Sequence, residues 1–122
     1  MTALTKPQAK AVFPPEVFAR VDALLKRHHT RALSFQMHAH TEKLYLDEGC
    51  DYAVWYQHQW REVRMQSEFS LHAGGSWGGH QVGAEVPIPE GAWVIETDLF
   101  LGRYYIRVMH WGLRAIRAPV PA

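Results

Sequence analysis

The sequence predicts a mainly β domain, with one N-terminal amphipathic helix followed by an antiparallel sandwich or barrel of six or seven strands. Three observations predict it. A helical stripe of apolar residues occurs once, over residues 15–29. After Thr30 the apolar residues switch to a period of two and hold it, with interruptions, to Trp111. The interruptions are turn residues (Gly49, the glycine-rich run 73–83, and Pro87 to Gly91) at intervals that suit short strands.

The helix is marked by Val17, Phe18, Val21, Leu24, Leu25 and His28, which fall at three- and four-residue steps, with Glu16, Arg20, Asp22 and Lys26 outside the stripe. Pro15 at its start and the basic run 26–29 at its end suit the two ends of a helix dipole. Residues 1–13 lack such a period and are expected to form a flexible arm, leaving 14–117 as a single globular domain and 118–122 as a flexible tail.

Leu33, Phe35 and Met37 alternate with Ser34, Gln36 and His38, which predicts a strand with an apolar and a polar face. Residues 43–46 continue as a short strand or turn. Residues 52–60 carry aromatics on both faces, as a strand covered on both sides would. Residues 61–72 alternate cleanly, but with the opposite parity, so a turn or bulge is expected near residues 59–61. Strands over 92–97 and 103–111 close the domain. In the last one Tyr104, Ile106, Val108 and His110 share a face.

Composition narrows the function. A length of 122 residues with 48% hydrophobic and 20% charged residues fits one folded domain. The formal net charge of +1 leaves no cation surplus for binding nucleic acid by counterion release. Cys50 is the only cysteine, so no internal disulfide can form and a reducing compartment is expected. The first residues lack the apolar core of a signal peptide, and no run reaches the ~18 apolar residues of a spanning helix. The expectation is a cytoplasmic protein with no membrane partner.

Eight histidines turn attention to metal and proton chemistry. His38, His40 and Glu42 alternate, so an extended strand would present all three on one face as metal ligands. The glycine-rich run lacks the lysine and the strand-to-helix context of a phosphate-binding loop; it reads as a long hairpin loop whose Trp77 either tucks back onto the sheet or anchors a binding loop or lid. Cys50 is followed by Asp51, whose charge disfavours a thiolate, and Ser76 lacks the spacing of a nucleophile elbow.

Two segments resemble the motifs of the cupin family of small β-barrels. In the first, His38-Ala39-His40 is followed by Glu42 and, after six intervening residues, Gly49. In the second, Gly83 is followed after five residues by Pro89-Glu90-Gly91. The sequence departs from the family in the short spacer at Thr41, in lacking a glycine ahead of His38, and in carrying Val94 where the family has a histidine and Asp98 where it has an asparagine. The resemblance implies a barrel with one divalent metal (iron, zinc, manganese or nickel) held by His38, His40 and Glu42. His110, His80 or His72 could take the vacant fourth place, and His110 completes the expected set. A small ligand would lie among Trp77, His80, Trp93 and Tyr104, with Trp77 closing over it.

Two other readings stand beside this one. Five tryptophans and five tyrosines, with arginines, suit a non-catalytic interaction protein such as an inhibitor or adaptor, and a homodimer is the default assembly. Arg103, Tyr105, Arg107 and Trp111 on one strand face would suit stacking on single-stranded nucleic acid, the less favoured option.

Overall fold

The structure, a computed structural model, describes residues 2–47, 50–63 and 85–112. The chain opens with a two-residue strand β1 (Thr2–Ala3) and a helix α1 (Lys6–Val12). Thr5 caps this helix reciprocally: the Gln8 N–H donates to Thr5 Oγ1 at 3.4 Å, and the Thr5 N–H donates to Gln8 Oε1 at 2.9 Å. The segment expected as a flexible arm is therefore a folded helix, and the domain has two helices rather than one. Two turns are too short for a stripe to register in the sequence, but Ala9 and Phe13 are buried by it.

Pro14 and Pro15 end one helix and start the next, α2 (Pro15–Arg27), which buries Val17, Val21 and Leu25 at four-residue steps. Its end is a Schellman motif: Thr30 N–H donates to the Leu25 carbonyl at 3.0 Å and His29 N–H to that of Lys26 at 3.3 Å. His29 takes the left-handed position, with φ of 50°.

Eight strands are described in all. The remainder are β2 (Leu33–Ala39), β3 (Lys43–Tyr45), β4 (Cys50–Tyr56), β5 (Gln59–Val63), β6 (Glu85–Pro87), β7 (Trp93–Phe100) and β8 (Arg103–Gly112). Six form one sheet in the order β1-β2-β8-β7-β4-β5, and β3 pairs with β6 in a separate two-stranded ribbon. The mainly β, sandwich-like prediction holds. The antiparallel expectation needs correction, because β2 runs parallel to β8 while the other neighbours are antiparallel. A period of two reports which residues share a face and is silent on strand direction. The six-stranded sheet is not closed into a barrel among the described residues.

Strand alternation divides the sheet. Leu33, Phe35, Ile95, Ile106 and Val108 face the helices and pack on Ala9, Phe13, Val17, Val21 and Leu25. Tyr52, Val54, Val94, Met109 and Trp111 face the other way and are covered by Leu44, Leu46, Val86 and Ile88 of the ribbon and its flanks. The result is three layers: helices, sheet, ribbon. Phe13, Phe35 and Trp93, with ring centroids 5.5–5.9 Å apart, pin the helix junction to the sheet.

The parity switch expected at residues 59–61 occurs two residues earlier. Gln57 and His58, with φ of 53° and 57°, form the two-residue turn between β4 and β5. Beyond residue 63, the strand expected to reach residue 72 and the glycine-rich run lie outside the described residues, as does the tail.

Ile95 lies in a central strand and is 1% exposed. Ile95→Ala is expected to lower the unfolding free energy by about 2–5 kcal/mol. Loss of the reciprocal cap in Thr5→Ala is expected to cost about 1 kcal/mol. Both are read from urea midpoints at unchanged m value.

Candidate functional site

The even-numbered residues of β2 turn away from the helices, and the parallel register sets His38 opposite Trp111. The two rings stack at 4.3 Å between centroids and 15° between planes. Trp111, fully buried, donates its indole N–H to the Glu42 carbonyl at 2.8 Å. That bond holds the turn after β2, in which the Glu42 N–H returns to the Ala39 carbonyl at 3.0 Å. The Glu42 carboxylate then folds back. Its Oε1 accepts the Ala39 N–H at 3.0 Å, and its Oε2 lies 2.7 Å from Nδ1 of His38.

The His38 bond, and then the Ala39 N–H, hold the Glu42 carboxyl below its ordinary range. A carboxylate accepts only, so geometry assigns the proton to Nδ1. With the proton on Nδ1 alone, Nε2 is the acceptor nitrogen. It is buried and has no hydrogen-bond partner among the described residues. Leaving such an atom unpaired costs on the order of 1–3 kcal/mol. The imidazole is thus fixed by a stack on one side and a carboxylate at one nitrogen, with the other nitrogen unused.

The expected metal set is not brought together. Alternation stops at Ala39, so His40 sits in the turn and is exposed, and Glu42 reaches His38 through the turn instead of continuing along the strand face. His110 pairs with Met37 and Trp93, one step out of phase with His38 and Trp111, and so lies on the helix side of the sheet. There it stacks on Trp93 at 4.1 Å, with Nδ1 3.1 Å from the Ala92 carbonyl. Val94, where the cupin resemblance expects a ligand, is buried among apolar side chains on the ribbon side.

The expected ligand residues also separate. Trp93 belongs to the helix-side core and edges a cleft of about 240 Å³ with Trp55 and His58. Tyr104 stacks on His28 at 3.9 Å and lines a different cleft of about 550 Å³ with Arg31 and Arg103. Trp77 and His80 lie outside the described residues. The single-strand stripe is divided too: Trp111 is buried and Arg107 is paired with Glu96, leaving Arg103 and Tyr105 exposed.

A second polar group lies on the ribbon side and escaped sequence reading. Ligand atoms of Asp47, Cys50 and Glu96 all lie within 4.8 Å of one another. Glu96, only 2% exposed, meets Arg107 Nη1 at 2.9 Å through Oε1. Burial raises its carboxyl above the ordinary range, against the pull of Arg107 and of the Tyr52 hydroxyl. Burial, with Glu96 and Asp98 nearby, pushes the Cys50 thiol up to about 12. This donor set of two carboxylates and a thiol is of the kind that can hold a divalent cation. Arg107 already neutralises one carboxylate, however, and the thiol is held protonated. The signal was present in sequence only as alternation within residues 50–52 and 94–98; the register that pairs Tyr52 with Glu96 and Cys50 with Asp98 makes it a cluster.

No family model, curated protein or solved structure matches this chain.

Burial lowers the His110 pKa below its ordinary value, against the Ala92 carbonyl, so the fold favours the neutral ring. A lowered folded-state pKa means that the unfolded chain binds the proton more readily. The His110 contribution is complete above about pH 6.5 and is lost as pH falls below it. Urea midpoints measured from pH 8 to pH 5 should fall in the wild type, and His110→Phe should flatten the part of that fall beginning near 6.5.

Proposed function

We propose that the protein binds a small ligand on the sheet face opposite its helices, taken at Nε2 of His38 directly or through a divalent metal. The observation that carries this reading is the unused, buried Nε2 on a ring already oriented by Glu42 and Trp111. Metal-binding histidines commonly hand their other ring N–H to a carboxylate, which fixes the tautomer and strengthens the free nitrogen as a donor. The same arrangement orients a histidine that exchanges a proton with a bound substrate. Glu42 then orients His38 instead of serving as a ligand, and His40 and His110 take no part. The cupin resemblance supports a metal role for this same histidine, with iron, zinc, manganese or nickel as the candidate ions.

The test is elemental analysis and ligand-induced thermal shift on protein purified without a histidine tag. In the metal mode about one equivalent of metal is expected, lost in His38→Ala and kept in His40→Ala, with affinity reduced roughly 10–100-fold in Glu42→Gln. In the direct mode no metal is bound, and small-molecule stabilisation disappears in His38→Ala alone. A His38→Ala protein that matches the wild type in both assays contradicts the reading.

A further inference from the structure

The β7–β8 hairpin ends in a feature that internal packing does not explain. Phe100 and Arg103 close it, and the two residues between them, Leu101 and Gly102, have φ of 51° and 76°. This is the sign pattern of a type I′ turn. Glycine suits the second position, but the first favours asparagine, aspartate or glycine, and leucine there is strained by its Cβ. Leu101 is also 89% exposed, so little contact with the described residues offsets that strain.

Leu99 and Phe100 are 50% and 59% exposed. Successive strand residues point to opposite faces. Exposure of both means that the tip stands clear of the helix layer on one side and of the ribbon layer on the other. Leu99, Phe100 and Leu101 thus present apolar surface on both faces of the hairpin end, with Arg103 opposite Phe100.

Cations lie beside it. Arg103 of the closing pair and Arg31 line one cleft together with His29 and Gly102, and Arg27 is exposed at the adjoining end of α2, where Lys26 is paired with Asp22 at 2.8 Å. The nearby acidic groups are directed elsewhere or stand further back. Asp98 is hydrogen-bonded with Cys50, and Asp51 pairs with Thr97, three residues before Phe100.

We propose that this tip docks the protein on an anionic lipid bilayer, with Leu99, Phe100 and Leu101 in the interfacial layer and Arg31 and Arg103 against the lipid phosphates. A flat protein partner would cover one face of the projecting ribbon and leave the other wet. Three residues also bury much less than the ~800 Å² per partner of a standard protein interface. A bilayer encloses a projecting apolar tip from every side without shape complementarity, and its anionic headgroups attract the cations beside the tip. Such docking needs no spanning segment; no helix among the described residues is long and apolar enough to cross a membrane. The inference is independent of His38.

The test is co-sedimentation with phosphatidylcholine vesicles with and without phosphatidylserine. Binding is expected to the serine-containing vesicles, to weaken as salt is raised, and to resist competition by inorganic phosphate. Arg31→Gln and Arg103→Gln should each weaken it roughly fivefold. Leu101→Asn is the decisive variant, because asparagine suits the turn. It should raise the urea midpoint while weakening vesicle binding on the order of tenfold. Failure of the wild type to sediment with anionic vesicles overturns the proposal, as does unchanged binding by Leu101→Asn. A dimer in sedimentation velocity that Leu101→Asn dissociates, without vesicle binding, would assign the tip to a second copy of the chain instead.

Discussion

Strand β8 and its two different neighbours set the positions of the other parts. Antiparallel pairing with β7 over eight residue pairs and parallel pairing with β2 over seven place it at the centre of the sheet. Its alternation then sorts side chains between environments. Ile106 and Val108 go to the helices, while Met109 and Trp111 go to the ribbon. A slip of one residue would exchange these sets and bury Arg107 against α2. The register also brings Trp111 under His38, from where its indole N–H reaches back to hold the Glu42 turn. The candidate site is a consequence of the same ladder that builds the core.

The two faces differ in how they treat polarity. On the helix side, burial is almost wholly apolar, and His110 is accommodated as a neutral ring against Trp93. On the ribbon side the sheet carries Glu96 with Arg107, Tyr52 with the Asp47 N–H, and His38 with Glu42. A buried ion pair such as Glu96–Arg107 adds little net stability, since desolvation offsets most of the attraction. Removing one partner alone is costly. Polar groups are collected on this one face, and among the described residues two buried nitrogens there, Nε2 of His38 and Nε of Arg107, have no hydrogen-bond partner.

Much of the fold was legible in the sequence because burial imposes a period. The stripe through Val17, Val21 and Leu25 gave α2, alternation gave β2 and β8 with correct faces, including the shared face of Tyr104, Ile106, Val108 and His110, and β7 was expected as a strand without assigned faces. What stayed hidden has physical reasons. The α1 helix is too short for a stripe, and its evidence was the Thr5–Gln8 cap. The parallel pairing of β2 with β8 has no local signature. At the site, His38 and Glu42 were found as a pair, but their relation was misread. The turn at His40 and Thr41 swings Glu42 onto Nδ1, whereas strand periodicity would have set it beside His38 as a fellow ligand. His110 was assigned to the same set by residue type; the register puts it through the sheet. Asp47, Cys50 and Glu96 come together only through pairing of distant strands, which no local pattern reports.

The central claim is that Glu42 and Trp111 hold His38 with Nδ1 protonated and Nε2 as a buried acceptor without a partner among the described residues. The most direct test is ¹⁵N NMR of the His38 ring, assigned by comparison with His38→Ala, before and after titration with zinc. The neutral ring should carry its proton on Nδ1, and zinc should move the Nε2 resonance first. A proton found on Nε2, or an Nε2 resonance indifferent to zinc and to every small ligand that stabilises the protein, would contradict the claim and return His38 to a purely structural role.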